Sequence, residues 1–164
     1  MNGLQALVVS MRPRQYTKNL LVFAAPIFAR KLDEPMAMFT AAVTFVLFCL
    51  LSSAVYLMND IIDAPEDRRH PEKRKRPIAS GTLAPSTAAL VALVLAAIGL
   101  AGCFTISVAL GSVALGYLGL QALYQVALKH MVILDVLAIA GGFVLRAVAG
   151  GEATGVVISE WLLI

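Results

Sequence analysis

The sequence is poor in charged residues, and this shortage excludes most soluble architectures. Only 14% of its 164 residues are charged, while 60% are hydrophobic and the mean hydropathy is +0.85. Soluble domains have about a quarter of their residues charged. A chain of this length has too small an interior to hide so many apolar side chains in water. The composition therefore favours a membrane protein over a soluble helical bundle.

Cysteine and histidine are also scarce, which argues against disulfides and structural zinc. The two cysteines, Cys49 and Cys103, lie inside apolar runs, where cysteine behaves as a small hydrophobic residue. The sequence has no cluster of histidine and cysteine that suggests zinc. Arg12, Pro13 and Arg14 precede an apolar run without a small-residue cleavage pattern, so we do not expect a secretory signal there.

Long apolar runs dominate what is present. A spanning helix needs about 20 apolar residues. Four runs have this length, and a shorter one, interrupted by Pro26, is expected to belong to a first span that begins near Gln15. We therefore predict an all-α, polytopic transmembrane helical bundle of about five spans. The long runs are 36–58, 85–104, 107–128 and 132–150, and the short run is 20–29.

Two further features concern how these spans assemble. Residues 161–164 are expected to begin a sixth apolar segment that is cut off, so that residues 1–164 form the N-terminal part of one transmembrane domain. Small residues within spans let helix backbones approach closely, which predicts a compact bundle. The glycines concerned are Gly99, Gly102, Gly111, Gly116, Gly119, Gly141 and Gly142.

An acidic pattern ends the first long run. Asn59, Asp60, Asp63 and Asp67 form N-D-x-x-D-x-x-x-D, and helical spacing would place the three carboxylates on one face. Their mutual repulsion would be relieved by Mg²⁺ shared with a diphosphate, since Mg²⁺ is usually held by one or two carboxylates plus phosphate oxygens. The alternative is a solvated acidic helix end. Pro65, inside the pattern, predicts a break in the helix after Asp63.

A basic cluster follows at once. Arginine offers a planar fork for phosphate oxygens and lysine a compact charge, so acids followed by bases suit a diphosphate site. The alternative is a topogenic signal that also meets anionic lipid headgroups. By the positive-inside rule the loop 59–82 should face the cytoplasm, and the spans should lie in the inner membrane of the cell. The cluster comprises Arg68, Arg69, Lys73, Arg74, Lys75 and Arg76.

These patterns resemble a known family. The acidic pattern followed by D-R-x-H-P-x-K-R-x-R-P-I-A-S-G is similar to the first signature of the UbiA superfamily of intramembrane prenyltransferases. Residues 12–19 resemble the R-P-x-Q-W-x-K-N opening of the decaprenyl-phosphate phosphoribosyltransferase branch, with Tyr16 in place of the tryptophan. Residues 124–130, followed by Asp135 and by 146–151, resemble the same branch.

The resemblance implies an enzyme, a transferase, and its site. Members of the branch transfer 5-phosphoribose from phosphoribosyl diphosphate to a polyprenyl (decaprenyl) phosphate, in a Mg²⁺-dependent reaction that releases diphosphate. Asp60, Asp63 and Asp67 would hold Mg²⁺ as the catalytic acids. Membrane lipids are further expected partners and nucleic acid is not. Residues implied in substrate binding are Lys18, Asn59, Arg68, Lys73, Tyr124, Lys129 and His130. The second acidic motif of the family would lie beyond residue 164, so the isolated chain is expected to be inactive.

Two other functions remain open at this point. One is a UbiA-type prenyltransferase that moves an isoprenoid from its diphosphate to an aromatic acceptor. The other is a membrane transporter or lipid-binding subunit without chemistry, which would leave the acidic spacing unexplained. The opening at 12–19 and the L-K-H segment at 128–130 favour the phosphoribosyltransferase.

Two ionisable residues lie inside the last long run. Asp135 is expected about one turn from the cytoplasmic surface, near Lys129 and His130, and we assign it to the substrate site. Arg146 has two readings, because intramembrane bases either face the bundle interior or snorkel to an interface. Its place near the outer end of its run favours an interfacial anchor.

Overall fold

The computed structural model describes residues 2–156, apart from the side chains of His130 and Val132. The sixth segment expected at 161–164 lies outside this range. All regular elements in the described part are helices, which confirms the all-α prediction. The α-helices are α1 (Gly3–Met11), α2 (Ala24–Phe28), α3 (Pro35–Asp67), α4 (Pro85–Ile106), α5 (Val108–Val126) and α6 (Val132–Thr154). A 3-10 helix, Pro13–Phe23, lies between α1 and α2 and is called the 3-10 segment below.

Three helices are long and apolar enough to cross a membrane, by length and composition: Pro35–Asp67, Pro85–Ile106 and Ile133–Thr154. Helix α5 is continuous over 19 residues but is not among them. Glycines and the polar residues Tyr117, Gln121, Tyr124 and Gln125 lower its apolar character. The predicted fourth span therefore exists as a helix, although its composition is weaker than expected.

The expectation of a first spanning helix that begins near Gln15 is wrong. This stretch is the 3-10 segment followed by the short helix α2, and Arg30 then turns the chain with a left-handed backbone (φ 56°). Long-range contacts account for the difference. The buried amide of Asn19 donates to Ser52 of α3 and accepts a hydrogen bond from Arg146 of α6. The packing of this polar side chain overrides the local preference for an α-helix.

The predicted helix break after Asp63 is also wrong, because α3 continues through Pro65 to Asp67. Inside a helix, proline removes one backbone hydrogen bond, and its ring clashes with a carbonyl group of the preceding turn. Here it lies in the last turn, which is held from outside by an ion pair between Asp67 and Arg76. The three acids therefore stay on one continuous helix.

Helix α3 is the centre of the bundle. Phe48 and Leu51 of α3 pack with Cys103 of α4 and with Leu110 and Tyr117 of α5 in the main buried cluster. A second cluster lies towards the loop that follows α3, where Leu57, Ala64, Ile78, Leu83 and Ala88 are buried together. Both cysteines are buried and free, as the sequence indicates.

Close helix contacts occur at some of the glycines named from the sequence. A Cβ at Gly99 would lie 2.8 Å from the Leu51 side chain, and one at Gly102 would lie 2.5 Å from Leu47. The same prediction fails at Gly116 and Gly119, where nothing in the described residues lies within 4 Å. The tightest contact is at Gly150 of α6, where a Cβ would collide with the backbone of Val22.

This contact generates a first prediction. Gly150→Ala should destabilise the protein by about 1–3 kcal/mol, because the Val22 backbone is in its way and cannot swing aside as a side chain would. Gly116→Ala is the matched control, since its Cβ would meet no atom and alanine favours the helix by about 1 kcal/mol. Thermal unfolding in detergent should show a lower Tm for Gly150→Ala alone. Equal Tm values for the two variants would contradict the close approach of α6 to the 3-10 segment.

Candidate active site

A cavity of about 330 Å³ lies between α3, α5, α6 and the 3-10 segment. Its charge is strongly unbalanced. Among the described residues, six cationic side chains line it against a single carboxylate, that of Asp63. Such walls raise the local concentration of anions. The cations are Arg12, Lys18, Lys73, Arg76, Lys129 and Arg146, and the other polar lining residues are Tyr56, Asn59, Tyr117, Gln121, Tyr124 and Gln125.

The end of the cavity nearest the loop after α3 is called the loop end. Here one carboxylate oxygen of Asp63 accepts hydrogen bonds from Gln125 (2.7 Å) and Lys129 (2.9 Å). These partners come from α5 and from the turn that follows it. Lys73 of the basic loop and Asn59, one turn before Asp63, also line the cavity. The loop end thus combines oxygen ligands with lysine cations, which suits a metal-bound phosphate group.

Asp60 and Asp67 lie behind the cavity rather than in it. Both are nearly fully buried, with side-chain exposures of 3% and 2%. Arg76 bridges them, at 2.6 Å from Asp67 and 3.4 Å from Asp60, and Arg12 also binds Asp60. Arg12 joins α1 to the 3-10 segment. Its backbone is left-handed (φ 54°), which is a strained conformation for arginine. The two carboxylates thereby fix two of the cations that line the cavity.

The donor set bears on a magnesium site. No group of three or more acidic, histidine or cysteine ligands gathers among the described residues. Asp63 and Asn59, however, both face the cavity and supply the hard oxygen atoms that Mg²⁺ prefers. One carboxylate and one amide fit an ion that brings most of its ligands as phosphate oxygens and water. They do not fit an ion held by protein alone.

The opposite end, called the deep end, is formed around Arg146. Its side chain is 5% exposed and points into the bundle, so the interfacial anchor favoured from the sequence is wrong. Asn19 and Tyr117 accept hydrogen bonds from it, and Phe143 lies beside it. Lys18, also in the cavity wall, has a pKa below its usual value because burial, Arg146 and Arg12 all disfavour its charge.

An apolar groove of about 490 Å³ adjoins the cavity between α3, α4 and α5. The two spaces share Val55, Asn59, Gln121 and Gln125 as walls. Away from these shared residues the groove is almost purely aliphatic. Its remaining walls are Ala54, Met58, Ile62, Ala89, Ala92, Leu93, Ala96, Leu118, Ala122 and Val126.

The structure gathers most of the residues that the sequence predicts for the site. Arg68 does not line the cavity, and its Nε donates to the Ala79 carbonyl at 3.3 Å. Asp135 does not line it either, and its buried Oδ1 has no hydrogen-bond partner in the described residues. The His130 side chain lies outside the described part. The predicted residues that do line the cavity are Lys18, Asn59, Asp63, Lys73, Tyr124 and Lys129.

Sequence reasoning missed several lining residues. Arg12 and Arg76 belong to the motifs that resemble the family, but nothing in those motifs distinguishes them from their basic neighbours as cavity residues. The signal for Gln121 and Gln125 is their spacing of four with Tyr117, which makes one polar stripe along an otherwise apolar helix. This stripe could have been identified from the sequence.

The fold and the cavity define a helical membrane protein with a cation-lined interior. The model of the UbiA prenyltransferase family matches residues 20–164. The chain belongs to this family.

Individual relatives agree with this membership. The chain is 41% identical to the decaprenyl-phosphate phosphoribosyltransferase of Corynebacterium glutamicum, covering 99% of this chain and 50% of that protein. It is 39% identical to the protein of that name from Mycobacterium tuberculosis, covering 99% and 55%. A solved structure of a UbiA homolog from Archaeoglobus fulgidus, bound to DMAPP and Mg²⁺, has a TM-score of 0.81 at 19% identity, covering 96% of this chain and 57% of that one. The chain spans about half the length of the curated relatives it matches.

Proposed function

We propose that the protein transfers 5-phosphoribose from phosphoribosyl diphosphate to a polyprenyl phosphate and releases diphosphate. The observation that carries this proposal is the cation-lined cavity that shares four wall residues with an aliphatic groove. A water-soluble, highly anionic donor and a lipid acceptor need these two environments side by side. The names of the two relatives describe the same reaction class.

The charge of the cavity supports the donor. Phosphoribosyl diphosphate carries phosphate groups at both ends of a neutral ribose. The cavity has cations at both ends, Lys73 and Lys129 at the loop end and Arg146 at the deep end. Asn59 and Gln121, which are neutral hydrogen-bonding residues, also line it. We propose that the loop faces the cytoplasm, because its basic cluster follows the positive-inside rule and the donor is soluble there.

The residues of the chain suit a reaction in which positioning and charge do the work. A phosphate oxygen of the lipid forms a bond to C1 of the ribose, while the bond from C1 to the diphosphate oxygen breaks. The electron pair leaves with the diphosphate, whose charge Lys73, Lys129 and Arg76 stabilise. Magnesium, held by Asp63 with Asn59 in support, would neutralise further charge on the diphosphate.

Asp60 and Asp67 can take part in a second way. Arg12 and Arg76 neutralise them in the structure. When a diphosphate enters, both guanidiniums have an alternative anionic partner, since arginine binds phosphate as readily as carboxylate. Asp60 and Asp67, freed from these ion pairs, would then be further candidate ligands for the metal beside Asp63, as the sequence leads one to expect.

These roles predict a difference between two carboxylates. Asp63→Asn should lower turnover at least about a hundredfold, because the proposed metal ion loses a carboxylate ligand. Stability should change little, because the partly exposed ion pair of Asp63 with Lys129 contributes about 0–1 kcal/mol. Asp67→Asn should lose turnover and also stability, towards the lower end of about 3–5 kcal/mol, because Arg76 is left without its closest partner. Glu66→Gln, an exposed neighbour, is the control.

The measurement, made on the full-length protein, is transfer of radiolabelled phosphoribose from phosphoribosyl diphosphate into the lipid extract, together with Tm in detergent. Turnover by Asp63→Asn close to that of the unmodified protein at saturating Mg²⁺ would contradict the role of Asp63. Transfer of an isoprenoid from its diphosphate to an aromatic acceptor, with no phosphoribose transfer, would replace the proposed function by the alternative prenyltransferase.

The groove predicts an effect specific to the lipid. Ala122→Trp fills the groove from an exposed position on α5, so no core side chain has to move. We expect about a tenfold or larger rise in the KM for a long-chain polyprenyl phosphate, because the chain loses apolar area that it would otherwise bury. The KM for phosphoribosyl diphosphate should stay unchanged. Ala97→Trp, an exposed position on α4 outside the groove, is the matched control, and equal effects of the two variants would exclude the groove as the chain site.

A further inference from the structure

Arg146 is a buried cation held entirely by neutral groups. Its Nε donates to Oδ1 of Asn19 at 2.7 Å, and its two terminal nitrogens donate to the Gly142 carbonyl at 2.6 Å and to the Tyr117 hydroxyl at 3.0 Å. The guanidinium carbon lies 4.7 Å from the centre of the Tyr117 ring. Three separate elements, α5, α6 and the 3-10 segment, therefore fix the orientation of one guanidinium.

The charge of this group has no counterpart nearby. None of the ion pairs found among residues 2–156 includes Arg146. A buried charge without a counter-ion is costly, and inside a membrane protein such a residue usually marks a ligand or ion pathway. Arginine has five N–H donors, of which the contacts above use three. Two donors are left, on a side chain that lines the cavity.

The position of Arg146 separates it from the loop end. Its partner Tyr117 lies eight residues before Gln125 on α5, and Gln125 binds Asp63. At 1.5 Å per residue these two positions are about 12 Å apart along the helix. Neutral or apolar residues, Gln121, Ile139 and Phe143, also line the cavity. A single anionic group, rather than a metal-bound diphosphate, fits this end.

We propose that Arg146 is the binding residue of a phosphate-monoester subsite at the deep end of the cavity, distinct from the diphosphate site at the loop end. Asn19 and Tyr117 are its positioning residues. The planar fork of arginine matches two oxygens of a phosphate group, which is the pairing its remaining donors allow. The identity of the ester rests on the proposed function, which supplies two sources with the same chemistry: the 5-phosphate of the sugar donor and the phosphate of the lipid.

The test is equilibrium binding to the protein in detergent, without turnover. Isothermal titration would use ribose 5-phosphate, geranyl phosphate and magnesium diphosphate as separate probes. Arg146→Gln should weaken at least one of the two monoesters about tenfold or more, because a charge-assisted pair of hydrogen bonds is lost. It should change magnesium diphosphate affinity much less. Lys129→Gln, at the loop end, should show the reverse pattern.

The arms of the experiment distinguish the sources and the outcomes. Loss for ribose 5-phosphate alone assigns the subsite to the donor, and loss for geranyl phosphate alone assigns it to the acceptor. If Arg146→Gln does not fold, Tyr117→Phe and Arg146→Lys replace it, and the same selective loss is expected because the guanidinium is then misplaced or absent. Equal loss of all three probes would show a purely structural arginine and overturn the proposal. So would unchanged binding of both monoesters, or no monoester binding by the unmodified protein. Transfer activity does not enter these readings, so failure of the proposed function would leave them intact.

Discussion

The burial of charge inside an apolar helical bundle is the constraint on which the rest of this structure depends. A charged side chain withdrawn from water needs a counter-charge or a ligand. The protein meets this need completely for Asp60 and Asp67, which are buried and paired with Arg12 and Arg76. These pairs join the end of α3 to the basic loop on one side and to the start of the 3-10 segment on the other. The same interactions that neutralise the acids thus fix the walls of the cavity.

Helix packing then decides which charges stay uncompensated. The absence of a side chain at Gly150 brings α6 against the backbone of Val22, and this contact places Asn19 within reach of Arg146. Lys18, one residue before Asn19, enters the cavity wall as a consequence. Neither Lys18 nor Arg146 has an ion-pair partner in the described residues. The excess positive charge of the cavity is therefore a product of the fold rather than of one basic motif.

Local patterns predicted much of this architecture, and long-range contacts account for the errors. The four long apolar runs became α3 to α6, because length and composition alone determine such helices. The acidic spacing grouped three carboxylates on one helix, of which Asp63 lines the cavity while Asp60 and Asp67 lie behind it. The partners of the buried groups could not be predicted in the same way. Arg12 pairs with a residue 48 positions away, and Arg146 with one 127 positions away.

Proline gave misleading local signals for the same reason. Pro65 breaks helices in isolation, but the pairing of Asp67 with Arg76 holds the last turn of α3 in place. In the first expected span the error runs the other way. The apolar run 20–29 is divided between the end of the 3-10 segment and the short helix α2, and the contacts of Asn19 with α3 and α6 hold the 3-10 segment in place. Both cases show tertiary interactions of single polar residues overriding a local preference.

The proposed chemistry explains why the cavity needs few acidic side chains. In that reaction two anionic substrates have to approach each other, and the cations at both ends of the cavity would reduce the repulsion between them. A phosphate monoester is already ionised at neutral pH, with a second pKa of about 6, so the lipid nucleophile needs no general base. A carboxylate base in the middle of the cavity would repel both substrates. Asn59 and Gln121 line the cavity as neutral residues, and Asp63, the one carboxylate that lines it in the described part of the chain, lies where a metal ion would offset its charge. The distribution of charge thus suits the proposed reaction, in which the protein contributes positioning and positive potential.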